Sequence, residues 1–317
     1  MNIFVTGATG VLGKPVVRLL VEAGHKVYAL SRSEENTAAV RQLGAEPITA
    51  NLFDLESLIK ALGATRAEAI VHLATKIPPT SRMGKLSSWQ ENDRIRRDGT
   101  HTLVDAALSV GVQTLLYPSF YYVYPDCGDQ WIDALSTPVQ SHVIPQSTID
   151  AEAEVARFTK EQRHGIVLRM GSLYGPEVPS ALEQFHLAQK GFAALPGSGD
   201  AYLSYIWAED ASRAIVVALD EAPAGIYDIV DDEPLTRDAF ATALAHSVGR
   251  RRLFRIPNSV MKLLAGAAAE MASRSQRVSN RRFRELTTWK PTVPNVQKGW
   301  SLIAQAGDKL ERMPTHA

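Results

Sequence analysis

The run Thr6-Gly7-Ala8-Thr9-Gly10-Val11-Leu12-Gly13 constrains the fold more than any other part of the chain. It joins an apolar stretch at 2–6, which reads as a strand, to a helical pattern at 11–23 that stops before Gly24. Gly7 permits a tight turn that a side chain would hinder. Gly10 lets the backbone approach a bound group, and Gly13 lets the helix pack close on the strand. The exposed N–H groups and the dipole of the helix start favour a negative charge, so the turn is built for a pyrophosphate. A plain glycine-rich turn is the alternative, but strand, loop and helix fall where phosphate binding needs them.

The rest of the first half repeats this unit. Strands are expected at 26–31, 46–49, 69–74, 113–119 and 166–170, and helices at 34–43, 54–62, 99–110 and 147–162. Such alternation implies parallel strands with crossover helices on both faces, a Rossmann-like doubly wound α/β sheet. The second half is mixed. Helices are expected at 180–190, 209–219, 237–247, 259–272 and 295–306, with a strand at 226–230 and a loop at 196–200. The expected organisation is a dinucleotide-binding domain over 1–173, rejoined by 201–232. A small, mostly helical substrate lobe takes 174–200 and 233–317.

Composition narrows the partners. The 317 residues are 45% hydrophobic and 21% charged, with 34 basic and 34 acidic side chains. This is globular composition, and zero net charge gives no long-range pull on nucleic acid or anionic membrane. The single Cys127 cannot form an internal disulfide or a cysteine-built metal site. The most apolar helical stretch, 261–272, is broken by Lys262 and Glu270 and is too short to span a bilayer. No leader is visible, and a cytoplasmic protein acting on a small molecule is expected.

With these features in hand, the sequence resembles the extended short-chain dehydrogenase/reductases, the group of NAD-dependent epimerases and dehydratases. Beyond the glycine run, the resemblance rests on Asn51-Leu52 with Asp54, His72-Leu73-Ala74, Gly99-Thr100 and Val123-Tyr124. It continues through Arg169 with Tyr174-Gly175-Pro176, Glu209-Asp210-Ala211, and the tail from Ser279-Asn280 to Trp289 and Pro291. The resemblance implies a nicotinamide dinucleotide held by Gly7, Thr9, Gly10, Val11, Leu12, Gly13, Ser31, Arg32, Asn51, Leu52, Leu73, Ala74, Thr75, Lys76 and Met170. It also implies a homodimer through two long helices flanking the sheet. NAD-specific members usually end the second strand with an acid. Here it ends Ser31-Arg32-Ser33, with no carboxylate before Glu34, which favours NADP over NAD: Arg32 can face a 2′-phosphate and the serines can donate to it.

The chain departs from the family at the chemical end. Members usually use a tyrosine and a lysine four residues later, the lysine lowering the phenol pKa so that it can exchange a proton near neutral pH. The register set by Ser147 and Glu152 puts Ile144 at the tyrosine position and Thr148 at the lysine position. Phe120 falls where a hydroxyl usually helps, with Ser119 one residue earlier, and Arg96 replaces a frequent asparagine. The candidates for an atypical site are therefore Tyr121, Tyr122, Ser119 and Arg96. A phenol would serve as acid or base, with Arg96 or Lys76 as the cation beside it. Packing of the two tyrosines against an apolar pocket or core is the alternative.

His72 is expected to pack beside the cofactor. His142, Cys127 and the acids Asp126, Asp129 and Asp133 are weaker candidates in loops. Trp89, Trp131, Phe185, Phe192, Tyr202 and Tyr205 offer aromatic lining for a ring-containing substrate, or core. The arginines at 274, 277, 281, 282 and 284 could meet a substrate diphosphate, or simply pair with neighbouring acids. The leading functional expectation is an NAD(P)-dependent oxidoreductase or epimerase/isomerase of a small organic molecule. A cofactor-binding sensor without turnover and a non-redox cyclase or dehydratase are the alternatives.

Overall fold

The computed structural model describes residues 1–140 and 142–312. Seven strands form one parallel sheet: β1 (Asn2–Thr6), β2 (Lys26–Ser31), β3 (Glu46–Thr49), β4 (Ala69–His72), β5 (Thr114–Phe120), β6 (His164–Met170) and β7 (Gly225–Ile229). Their spatial order is β7-β6-β5-β4-β1-β2-β3. The order reverses between β1 and β4, and such a crevice at the carboxyl ends of the strands is where a doubly wound sheet takes its ligand.

Alternation along the strands explains the two layers. Ile3 and Val5 face α1 (Gly13–Glu22), whose Val16, Val17 and Leu20 join them in one buried cluster. Phe4, between them, points to the opposite layer of α3 (Leu55–Thr65), α4 (the continuous segments Gln90–Arg94, Ile95–Gly99 and Thr100–Val110) and α5 (Gln146–Lys160). The helix α2 (Glu34–Gln42) starts where the Ser33 hydroxyl accepts from the Asn36 N–H.

The second half adds α6 (Pro179–Gln189), α7 (Ala208–Glu221), α8 (Arg237–Ser247), α9 (Asn258–Ser273), α10 (Arg281–Leu286) and α11 (Val296–Arg312). Tyr174, Phe185, Phe240 and Trp300 are buried together in a separate core of this half. The helix α9 carries a non-helical Gly266 at φ 46°.

Several boundaries differ from expectation for tertiary reasons. The strand expected at 69–74 ends at His72 because the next residues turn onto β1: the Leu73 N–H donates to the Thr6 carbonyl and the Ala74 N–H to the Thr6 hydroxyl. The first helix starts at Gly13 because residues 7–10 close a turn, Gly10 N–H to Gly7 carbonyl at 3.1 Å. Short pairings such as Tyr202–Leu203 with Leu235–Thr236 had no sequence signal, because a two-residue strand shows no period.

Candidate functional site

The glycine turn is as close as glycine allows. Gly7 has φ 73°, and a Cβ on it would lie 2.6 Å from the Ala74 nitrogen and the Leu73 carbonyl. A Cβ on Gly13 would lie 2.1 Å from the Gly7 carbonyl oxygen. No side chain caps the start of α1; the Lys14 N–H donates to the Gly10 carbonyl at 3.1 Å, Pro15 has no N–H and the Val16 N–H donates to the Leu12 carbonyl at 3.0 Å, which leaves the N–H groups of 11–13 at the turn itself without a backbone acceptor. Thr9 and Leu12 are half-buried beside them, and Gly10 and Val11 are exposed. An open helix start over an uncluttered glycine turn fits a dinucleotide pyrophosphate.

The other expected cofactor contacts surround the same edge. Arg32 is exposed just past β2. Ser31 is buried, and its hydroxyl is used within the turn, on the Ser33 carbonyl and the Thr37 hydroxyl. Asn51 shapes its own loop by accepting from the Phe53 N–H, and Leu52 is buried against Gly99. Leu73 and Ala74 run past Gly7, Thr75 and Lys76 are exposed, and the Lys76 N–H donates to the Asn92 side chain. Met170 ends β6, buried.

At the chemical end the central group is Arg96. It lies in the π-helical turn Ile95–Gly99, an irregularity frequent at functional sites. It is 6% exposed, and its Nη1 donates to the Tyr117 hydroxyl at 3.1 Å and to the Thr148 hydroxyl. Its Nε has no acceptor, and no carboxylate pairs with it among the described residues. Thr148 is the residue that the register set by Ser147 and Glu152 puts at the expected lysine position, and the Arg96 guanidinium comes to it from another helix. The Tyr117 phenol is pushed up by burial, with the nearby Arg96 charge opposing.

His72 hydrogen-bonds the Thr6 hydroxyl at 2.6 Å and the Thr100 hydroxyl at 3.2 Å. Burial, then Arg96, pushes its pKa down to about 3, so it is a neutral bridge between β1, β4 and α4. Ser119 is buried and donates to Glu152, which also takes a two-pronged bond from Arg169 at 3.0 and 2.7 Å.

The tyrosines after β5 differ from one another. Tyr121 is buried, its ring 4.2 Å from that of Tyr122, its hydroxyl 3.5 Å from the Ser172 hydroxyl, and burial raises its pKa well above the ordinary value. Tyr122 is half-buried and packs against the cluster of Trp89, Ile144, Ala268 and Met271. Ile144, expected from the sequence at the tyrosine position, thus lies on an apolar wall with one phenol on it.

The remaining candidates disperse. Burial, then Asp126, raises the Cys127 thiol, which stays protonated near neutral pH. His142 is half-buried, its pKa lowered by burial and by Arg274. Asp133 accepts three bonds from Leu135 and Ser136 in its own turn. Phe185 is lobe core, and Phe192 packs on exposed Phe254. Arg277 stacks over Trp131 at 4.2 Å and Tyr202 at 4.6 Å. The arginines at 274, 281, 282 and 284 donate to the Tyr124 carbonyl, Glu285, the Ile226 carbonyl and Asp232. Sequence reasoning missed Tyr117 and the Arg96–Thr148 contact, both of which depend on residues distant in the chain.

Asp228, at the end of β7, accepts from the Tyr124 hydroxyl at 2.7 Å and the Ala134 N–H at 2.8 Å. Burial pushes its pKa up to about 7. A carboxyl raised above its unfolded value stabilises the fold fully at low pH and loses that contribution as pH climbs toward 7. Asp228→Asn should therefore gain on the unaltered protein by about 3 kcal/mol between roughly pH 4 and pH 7, the interval between the unfolded and folded pKa values, and the difference should be constant above that. Urea midpoints of both proteins across that interval test it, and a difference that stays constant within it refutes it.

The sheet, the reversal of strand order and the glycine turn define a dinucleotide-binding α/β protein of the Rossmann type. The chain belongs to the NAD dependent epimerase/dehydratase family, whose model matches residues 3–229. It is 28% identical over 305 residues to a 3-diazoavenalumate denitrifying reductase of a Streptomyces species, covering 94% of this chain and 99% of that one. It is 25% identical over 307 residues to a ceramide reductase of Caulobacter vibrioides, covering 93% and 87%. Among solved structures, the human epimerase family protein SDR39U1 with NADPH superposes with a TM-score of 0.80 at 22% identity, over 96% and 99% of the chains. A UDP-glucose 4-epimerase from Thermotoga maritima with UDP-glucose gives 0.77 at 19%, over 98% and 100%. Likeness at that identity speaks for the fold alone. Among the described residues no helix is long and apolar enough to cross a membrane.

Proposed function

We propose that this chain is an NADP(H)-dependent oxidoreductase of a small, ring-containing organic molecule, with its cation supplied by Arg96 rather than by a lysine. The observation that carries the reading is the Arg96 guanidinium on the Thr148 hydroxyl, buried and, among the described residues, without a carboxylate partner. Gly7, Gly10, Gly13 and the start of α1 would hold the pyrophosphate, Arg32 the 2′-phosphate, and Arg96 the hydroxyls of the nicotinamide ribose. The bound dinucleotide supplies hydride chemistry. Tyr122, the half-buried phenol on the Ile144 wall, donates the proton to the substrate oxygen; Tyr121 orients its ring. Ser119 holds Glu152 in place beneath them. Residues 174–200 and 233–317 form the substrate lobe, and the protein works in the cytoplasm. The homodimer pairs through α4 and α5, whose outer faces carry Arg97–Asp150 and Arg157–Asp105 ion pairs.

Titration with NADPH and NADH tests the cofactor. NADPH should bind about tenfold or more tightly than NADH, as expected for a charge-assisted contact, and Arg32→Ala should erase the difference. No detectable complex with either would end the reading. Tyr122→Phe should lower turnover about a hundredfold or more with NADPH affinity unchanged. Equal turnover would remove Tyr122 from the chemistry.

The apolar surroundings of Ile144 favour a second reading, a cofactor-binding sensor without turnover. It requires different affinities for oxidised and reduced cofactor and no label passing from deuterated NADPH to any ligand.

A further inference from the structure

The most apolar helical stretch of the sequence lies in α9, and it takes no part in holding the cofactor or in the chemistry. Gly266, at φ 46° and ψ −125°, breaks that helix in two. Past the break, Ala268, Ala269 and Met271 are buried. Before it, residues 258–265 contribute no buried side chain. Yet Val260, Leu263 and Leu264 stand at the i, i+3, i+4 spacing that makes one helix face. In an ordinary surface helix such a face meets the core. Here it meets solvent, with Leu263 85% and Leu264 70% exposed. A fold gains nothing from an aliphatic stripe left in water, so the stripe calls for a covering surface.

The half-helix is pinned with this face outward. The Asn258 side chain accepts from the Gly197 N–H at 2.9 Å and donates to the Gly197 carbonyl at 3.3 Å. Asn258 and Lys262 line an outer cleft of about 780 Å³ with Asp126, Asp129 and Asp200. One turn apart, those two residues lie on the flank opposite the stripe. At its other end the half-helix rests on the loop 80–89, where a Cβ on Gly84 would lie 2.6 Å from the Leu264 carbonyl oxygen. The Trp89 indole N–H ties that loop to itself by donating to the Met83 carbonyl at 2.9 Å. Leu86, on the same loop, is also exposed.

Charge is uneven around the stripe, although the chain as a whole is neutral. No acid occurs in 73–90 or in 239–269. Arg82 and Lys85 are exposed on the loop that meets Leu264. The acids of the cleft belong to the opposite flank, and Glu270 follows the break. Exposed aliphatic side chains beside cations suit the interface of an anionic bilayer, the side chains reaching the acyl boundary and the cations the headgroups. A second copy of the chain suits the patch less. Pairing it with itself about a two-fold axis brings Arg82 and Lys85 of both copies together. A few aliphatic side chains also fall well short of the roughly 800 Å² per partner that a stable protein interface buries.

We propose that residues 258–265, with the loop 80–89, dock on a lipid bilayer that carries anionic headgroups. Past the break, Ala268 and Met271 belong with Ile144 to the wall that Tyr122 packs on, so the docking face continues into the chemical end of the sheet. The inference does not rest on turnover or on the identity of the cofactor.

The test is co-sedimentation of the protein, without cofactor, with vesicles of phosphatidylcholine alone and of an equimolar mixture of phosphatidylcholine and phosphatidylglycerol. The mixed vesicles should bind it about tenfold or more tightly than the neutral ones. Leu263→Ser combined with Leu264→Ser should weaken binding to mixed vesicles about tenfold or more, and both side chains are exposed, so the core is untouched. Arg82→Gln combined with Lys85→Gln should cut the preference for mixed vesicles about tenfold or more. No binding to mixed vesicles, equal binding to both kinds, or binding unmoved in the leucine variant overturns the proposal. A preference intact in the arginine–lysine variant overturns it too. So does light scattering in which the leucine variant alone drops to a smaller assembly, since a second copy then covers the face. Failure to bind NADPH counts against the oxidoreductase reading and leaves the vesicle result to be judged by itself.

Discussion

Arg96→Ala should weaken NADPH binding by about tenfold to a hundredfold, the range expected when a charge-assisted hydrogen bond is lost from a buried site. Thr148→Lys alone should also do harm, because it places an ammonium against the guanidinium whose Nη1 bonds the Thr148 hydroxyl. The decisive protein is the double variant Arg96→Asn with Thr148→Lys. It puts an asparagine and a lysine at the positions where the family resemblance leads one to expect them, and its NADPH affinity should recover to within about threefold of the original, a residual below 1 kcal/mol. Rescue of one damaging change by another is hard to obtain from general loosening of the fold, since unrelated losses add. NADPH affinity unchanged in Arg96→Ala, or a double variant as weak as the worse single one, would show that the arginine does not stand in for the lysine. The Tyr117 phenol gives an independent readout. It loses the charge that opposes its burial in Arg96→Ala, so its titration should move further upward.

The same site shows where sequence reasoning succeeds and where it stops. The strands and helices of the first half were legible because their periods, two and 3.6, alternate cleanly and glycines mark the ends. The absence of the tyrosine–lysine pair was also legible, since register along α5 follows from Ser147 and Glu152. The cation that we propose in the lysine's place was not. Arg96 and Thr148 are 52 residues apart, and they meet only because α4 and α5 pack side by side on the sheet. The π-turn that aims Arg96 inward has no signature in composition. Ser119 was singled out for its position near the strand end, yet its partner, Glu152, is a long-range contact. The arginines from 274 to 284, by contrast, were conspicuous in the sequence. Several of them are used up on carbonyls and acids of neighbouring loops.

Glu152→Ala should be the most destabilising single change near the site. Glu152 is 7% exposed and Arg169 4%, and the pair is held by two bonds along α5 and β6, with the guanidinium 4.9 Å from the centre of the Tyr124 ring. Removing the carboxylate leaves Arg169 buried and unpaired and takes away the acceptor of the Ser119 hydroxyl. The cost of breaking such a pair from one side is about 3–5 kcal/mol. Removing both charges is a different matter, because the desolvation of each ion disappears with its partner. Glu152→Leu combined with Arg169→Met should therefore recover most of the loss, and its urea midpoint should lie closer to the original than that of either single variant. The pair sits too deep for mobile ions to screen, so the loss in Glu152→Ala should persist at high salt. A midpoint within error of the original protein, or a loss that vanishes with added salt, would mean that Arg169 finds water or another acceptor and that the pair is not what holds the end of β5. If the loss is as large as expected, turnover of Glu152→Ala measured well below its melting point should fall too, since Ser119 and the two tyrosines that follow it share that strand end.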